Sequence, residues 1–433
     1  MIGRTANRST NRDAARRMRP APRKRLLTGI CCIAVVTAGA IALALWWEER
    51  PLRAIEQSLA RKEYAQALDL SNDYLKEFPS HVQAIDQKAR ALAGLERWSD
   101  ADRLFERFGA DSFASQRAWS QALLHEERWT EALPLLSQLD KQFPDDGEIL
   151  HELCACEAKL GYFDEAVAAA GRLMQISGHV RRGRLLLGIL HYKRGNNRLA
   201  IDAWKPLVDQ GSDLSDLQTS AAEFLLSYGR AQIDDGRPAE AIEHLRRAVE
   251  IDPSPEVRNT LAEACDALGD RPAAVAQWQE VVAHSPLNRA AREGLARTAL
   301  ENRSPDEARH WLEPLLTQDE LHSSTAFLAQ RTETLMGNKA AAATWAARAN
   351  SLRDSEKRIA ALEQSLRDTP RSFWSRCIRA HRFASEGNPA QALVLAEELL
   401  KQNPEQTFVQ QLADALRNRK PLPPLEMIPF KQF

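Results

Sequence analysis

The signatures of the common catalytic centres are missing from this chain. It has no GxSxG turn to present a serine, no HExxH helix to hold zinc and no paired CxxC. Gly178-His179-Val180-Arg181-Arg182-Gly183-Arg184 has the glycine spacing of a phosphate loop. It lacks the lysine and the serine or threonine that phosphate and magnesium require. His151 and Cys154 are three apart, which places them on one face of a helix, but two ligands do not make a zinc site. No catalytic residue, cofactor or metal is expected, and the chain is not read as an enzyme.

Cysteine gives no framework either. There are six, and Cys31 and Cys32 fall in an apolar run. Cys154, Cys156, Cys265 and Cys377 fall within helical patterns, and Cys154 and Cys156, two apart, point in different directions. Charge of one sign is scarce overall, with 58 Lys and Arg against 59 Asp and Glu. Residues 1–25 are the exception. They hold nine Arg and Lys against Asp13 alone, a local charge of +8 that leaves −9 for the rest. A mildly acidic body argues against nucleic acid as a partner.

The basic head precedes Leu26–Trp47, 22 residues without a charge. As a helix this run rises about 33 Å, enough to cross a hydrocarbon core of about 30 Å. Residues 1–25 are read as a basic cytoplasmic tail and 26–47 as a transmembrane signal-anchor in contact with the lipid bilayer. Positive flanks stay inside, so residues 48–433 are expected on the far side. A cleaved signal peptide is the rival reading, since Ala42-Leu43-Ala44 resembles a small-x-small cleavage site. The run exceeds the usual apolar length of a signal peptide, and bulky Leu45-Trp46-Trp47 follows the cut.

What the chain has in abundance is a clock. Ala67, Ala101, Ala132, Ala166, Ala200, Ala241, Ala274, Ala308, Ala342 and Ala392 are separated by 34, 31, 34, 34, 41, 33, 34, 34 and 50 residues. Glycine lies five residues before the alanine at Gly161, Gly195, Gly236, Gly269, Gly337 and Gly387, where a helix must stop in a left-handed turn. Proline lies twelve after it at Pro79, Pro144, Pro253, Pro286 and Pro404, where a second helix must end. Apolar residues recur four and seven beyond the alanine, as at Trp204 and Leu207 or Trp278 and Val281. Those spacings lie on one helical face.

A period of 34 built from helix, turn and helix resembles the tetratricopeptide repeat, from about residue 48 to residue 418. Asp235-Gly236-Arg237-Pro238-Ala239-Glu240-Ala241, followed by Asp252-Pro253, is close to the family pattern. The repeats at Ala101 and Ala308 carry Glu96 and Arg303 where glycine is usual. The resemblance implies an all-α fold, a right-handed α–α superhelix of about ten helical hairpins behind the N-terminal transmembrane helix. Repeats are expected over 48–209 and 217–353, with an insert loop at 210–216. An inserted helix is expected at 354–370, with Ile359, Leu362 and Leu366 on one face. A last repeat and capping helix are expected over 371–418, and an extended proline-rich tail over 419–433.

The resemblance implies a function as well. Such arrays hold protein or peptide partners and supply no chemistry of their own. With the anchor, this reads as a scaffold for envelope complexes in a bacterial inner membrane, single-pass, with periplasmic repeats. First helices of the family line the concave face. The residue eleven before each alanine then faces the groove, which gives Arg230, Glu263, Arg297, Arg331 and His381 among others. The arginines suit an acidic peptide. The family's lysine–asparagine clamp for acidic C-termini is absent at the corresponding positions. The alternative is a glycan- or peptidoglycan-binding module. For that reading Trp374, which opens a first helix and is expected to be exposed, is the best residue. The remaining tryptophans, Trp204 and Trp278 above all, are expected in the core.

Overall fold

The computed structural model describes residues 50–428 except 210, 212, 213, 215, 216, 218, 319 and 320. The basic tail 1–25, the apolar run 26–47 and most of the loop 210–216 therefore lie outside the described residues. The described chain contains helices and no strand. None of these helices is long and apolar enough to cross a membrane.

Two compact units divide the chain, Met1–Gly109 and Ala110–Phe433. The first holds α1 (50–60), α2 (Tyr64–Glu77), α3 (Val82–Gly94) and α4 (Trp98–Phe108). The second opens with α5 (Phe113–His125), α6 (Trp129–Gln142), α7 (Gly147–Lys159), α8 (Phe163–Leu173), α9 (Val180–Lys193) and α10 (Asn197–Asp209). It continues with α11 (Ala221–Asp234), α12 (Pro238–Ile251), α13 (Pro255–Ala267), α14 (Arg271–His284), α15 (Arg289–Glu301) and α16 (Pro305–Leu316). It ends with α17 (Ser323–Leu335), α18 (Lys339–Asp368), α19 (Phe373–Ser385), α20 (Pro389–Gln402) and α21 (Thr407–Asn418).

Among the described residues consecutive helices pair into ten hairpins, and α21 caps the last. The starts are set by side chains that accept orphan amides. Asp146 takes the amides of Glu148 and Ile149, and Asn288 takes that of Ala291 at 3.0 Å. Proline occupies the first turn of α12, α13, α14, α16 and α20, where no amide donor is needed. The stops are set by a left-handed residue five before each signature alanine. The six glycines there have φ between 73° and 91°. Lys62, Glu96, Glu127 and Arg303 adopt the same turn with φ between 55° and 62° despite their Cβ. The pattern thus survives where glycine does not.

Nine of the ten alanines have no exposed surface, and Ala342 alone is half-buried. Each buried one sits where the two helices of a hairpin approach, and a larger side chain would part them. Trp204 and Trp278 lie in the core at 1% and 2% exposure, in agreement with the periodicity.

Two expectations need correction. Residues 354–370 do not form a separate inserted helix. They lengthen α18, which runs unbroken for 30 residues because no glycine or proline interrupts 339–368. Leu362 and Leu366 are buried on it, but Ile359 is exposed. The tail is not simply extended either. A 3-10 turn at Leu425–Met427 folds Ile428 into the core beside α19–α21, where it is 3% exposed.

The long α18 also changes what the last hairpin packs against. One hydrophobic core joins Leu123, Ala132 and Leu136 of α5–α6 to Phe383, Ala392, Leu395 and Ala396 of α19–α20. Polar contacts cross the same seam. Gln391 donates to the Thr130 hydroxyl, and Arg371 pairs with Glu165 at 2.5 Å. The guanidinium carbons of Arg371 and Arg379 lie 4.7 and 5.1 Å from the centre of the Tyr162 ring. The second unit is therefore fastened from its last hairpin back to its first.

Candidate partner-binding face

Arg230, Glu263, Arg297 and Arg331 stand on α11, α13, α15 and α17, the first helices of four consecutive hairpins. The repeat brings them to one face because each occupies the same turn of its helix. A cavity of ≈ 510 Å³ opens there between α11, α13 and the start of α15, with Arg230, Glu256, Asn259 and Glu263 in its wall.

The charges on this face are partly spoken for. Arg230 donates to Glu256 at 2.9 Å, and Arg297 reaches Asp266 at 3.3 Å. The Arg230–Glu256 pair is exposed on both sides, so it is weak and easily exchanged for another carboxylate, whereas Asp266 is half-buried and also pairs with Arg271. Arg331 makes no ion pair with any described residue. Burial pushes the Glu263 carboxyl above its ordinary range, Arg230 and Arg297 oppose this, and Asp234 adds to it. Glu263 thus feels the arginines of both neighbouring hairpins.

Trp374 and His381 are not on this face. Both belong to α19. Trp374 is 8% exposed and sits in the core against Phe373, with ring centres 5.2 Å apart. The expectation that it is exposed is therefore wrong. It opens a first helix, but that helix packs against α18 and lies at the seam with α5–α7. The His381 ring nitrogen lies 3.0 Å from the Pro423 carbonyl, so the C-terminal segment occupies its side of the helix.

Residues the sequence did not single out complete the wall. The Asn259 amide donates to the Asn288 side-chain oxygen at 3.0 Å, and Thr260 donates to the Glu256 carbonyl. Asn259 is 8% exposed, and its own amide oxygen has no donor among the described residues. Polar residues at positions that pack inward in other repeats were the available signal.

Cys154, Cys156, Cys265 and Cys377 are buried, which disfavours their thiolates. Burial raises the thiols of Cys154, Cys156 and Cys377 to about 12. Cys154 donates to the Ala166 carbonyl at 3.4 Å, and burial pushes the His151 ring down, with Arg182 adding to it. Among the described residues no cluster of His, Cys, Asp and Glu is arranged to hold a metal.

Comparison with known proteins agrees with the hairpin geometry. Residues 185–254 and 259–320 match the sequence model of the tetratricopeptide repeat. Those two stretches carry repeats of that family, and the described helices have the fold of a tetratricopeptide-repeat solenoid. No curated protein matches it. Among solved structures it is similar to a tetratricopeptide repeat protein from Parabacteroides merdae. Identity there is 17% over 54% of this chain and 90% of that one, with a TM-score of 0.43. It is similar to pilF of Pseudomonas aeruginosa at 14% identity, over 55% of this chain and 97% of that one, with a TM-score of 0.38. A structure of Naa15/Naa10 bound to HypK-THB matches at 15% identity over 86% of this chain, with a TM-score of 0.39. This chain covers 66% of that one.

Proposed function

We propose that the protein is a protein–protein interaction scaffold whose partner is an extended acidic segment laid across α11–α17. The observation that carries this reading is the row Arg230, Glu263, Arg297 and Arg331 on consecutive first helices, with Arg331 unpaired among the described residues. Packed helices lie about 8–10 Å apart, and an extended chain advances about 3.3 Å per residue. Acidic side chains about three residues apart therefore meet Arg297 and Arg331 on neighbouring hairpins, and one about six residues further along meets Arg230 beyond Glu263. Each contact is a charge-assisted hydrogen bond, gained at Arg230 and Arg297 by displacing an ion pair and at Arg331 without one. With Trp374 buried, the glycan reading lacks its best residue.

The uncharged run 26–47 behind a flank of +8 supports a further element of the proposal. It tethers the scaffold to a bacterial inner membrane, with the repeats in the periplasm. Tethering raises the local concentration of the groove for neighbours in the same membrane.

Fluorescence anisotropy with labelled peptides tests the binding face. Peptides with Asp at every third position are expected to bind, more weakly as salt rises, and Asn-substituted peptides are not. Arg297→Glu with Arg331→Glu is expected to weaken binding by about tenfold or more. Equal affinity for acidic and neutral peptides, or for the wild type and this double variant, would remove the proposal. A reporter fused to the C-terminus tests the topology.

A further inference from the structure

A second cavity, of ≈ 470 Å³, lies at the seam of the second unit, between α6–α9 and α18–α19. Its size falls in the range of small-ligand sites, about 300–1,000 Å³. Five cations line it, Lys159, Lys193, Arg367, Arg379 and Arg382. Three carboxylates accompany them, Glu127, Glu363 and Glu386, which leaves an excess of two positive charges.

The contacts show which cations are available. Arg379 is spent, since it donates to the Pro370 carbonyl at 2.8 Å and lies over Tyr162. Arg367 donates to Gln364, and Arg382 reaches Glu363 at 3.3 Å. Glu127 accepts from Asn388 at 3.2 Å. Lys159 has only the ring of Trp129, 5.6 Å away, and Lys193 has no hydrogen bond or ion pair among the described residues. Lys193 is pushed below the ordinary lysine range, first by its removal from water and then by Lys159 and Arg382. Two ammonium groups without an ion pair among the described residues thus face one cavity, with Trp129 and Phe163 beside them and Glu386 the carboxylate that acts on Lys193.

We propose that this cavity binds a small organic dianion, held by Lys159 and Lys193 with its apolar body against Trp129 and Phe163. Two negative charges match the excess of two cations, and a carboxylate or phosphate oxygen supplies the acceptors both ammonium groups lack. This site is independent of the arginine row on α11–α17.

Calorimetric titration of the full chain with glutarate, phenyl phosphate and uncharged glutaramide is the test. At least one dianion is expected to bind saturably and raise the melting temperature, and glutaramide is not. The arm that binds identifies a dicarboxylate or a phosphate monoester as the class. Lys193→Gln and Lys159→Gln are each expected to weaken binding about tenfold, and Lys193→Arg to retain it. Since Lys193 has no partner to lose, Lys193→Gln is expected to melt no lower than the wild type in the absence of ligand. Binding of neither dianion overturns the proposal, as does unchanged affinity in both glutamine variants. Binding of acidic peptides to the arginine row is expected to be the same in all these variants.

Discussion

The side-chain amide of Asn388 donates to the main-chain carbonyl of Glu127 at 3.2 Å, joining residues 261 apart in the chain. Glu127 is one of the four non-glycine residues in a left-handed hairpin turn. Its carbonyl is therefore presented by a fixed turn to a fixed helix start, where Asn388 also caps α20 by accepting the Gln391 amide. The seam is built from ordinary repeat parts used a second time.

Asn388→Asp combined with Gln391→Ala tests that seam. Aspartate keeps the cap acceptor but removes the donor to Glu127, and alanine removes the donor to Thr130. A loss of about 1–2 kcal/mol is expected locally. In amide hydrogen exchange, α6 and α20 should lose protection while α13–α16 keep theirs. Uniform loss along the whole unit, or none, would contradict the seam.

Glycines inside the helices predict opposite signs at different sites. A Cβ on Gly294 would stand 2.4 Å from the Trp278 indole, and one on Gly188 2.1 Å from that of Trp204. Both tryptophans are fixed in the core, so Gly188→Ala and Gly294→Ala should each destabilise by about 1–3 kcal/mol. At Gly171 in α8 nothing lies within 4 Å. Gly171→Ala should instead stabilise by about 0.5–1 kcal/mol through helix propensity alone. Urea unfolding midpoints decide between these signs.

The left-handed turns predict a gain from the reverse substitution. Lys62→Gly, Glu96→Gly and Arg303→Gly each relieve a Cβ strain of about 1–2 kcal/mol, offset in part by the freer unfolded chain. A net stabilisation of about 0.5–1 kcal/mol is expected at each. A loss of stability at all three would mean that these side chains contribute contacts that outweigh the strain.

Glu157 on α7 predicts a pH dependence. Burial raises its carboxyl to about 7, Glu165 and Asp140 add to this, and Arg371 and Arg172 oppose it. One of its oxygens is buried without a partner among the described residues. The folded state therefore holds this proton more tightly than the unfolded one. Its contribution is fullest below the unfolded carboxyl range and is lost as pH rises through about 7. Glu157→Gln should be more stable than the wild type above pH 7, and the difference should shrink on acidification towards pH 4.5. A difference that does not change with pH would show that Glu157 is ionised in the fold.

The repeat was legible because it rests on local rules. The buried alanines, the left-handed turn and the proline starts all follow from spacing within 34 residues, and they recur often enough to be read without a structure. Even the turns at Lys62 and Glu127 could be placed by counting back from Ala67 and Ala132. The seam was not legible. It joins residues 127–165 to residues 370–396 through contacts with no period. The only trace was 16 surplus residues in the last gap, read as a separate helix when they extend α18. Trp374 was misplaced for the same reason. Its position in the repeat predicts exposure only if α19 stacks on the array as the other first helices do. On α11–α17, where stacking is regular, counting found the arginine row but not Asn259 or Asn288, whose pairing needs two hairpins in register.

A linear array of repeats is coupled only between neighbours, so it frays from its ends and can lose a terminal unit at small cost. The seam between α20 and α6 removes that freedom from the second unit. Its last hairpin cannot come away without exposing the core of its first. Opening of the last hairpin and of the first is then one event, in which repeats distant in sequence report on each other.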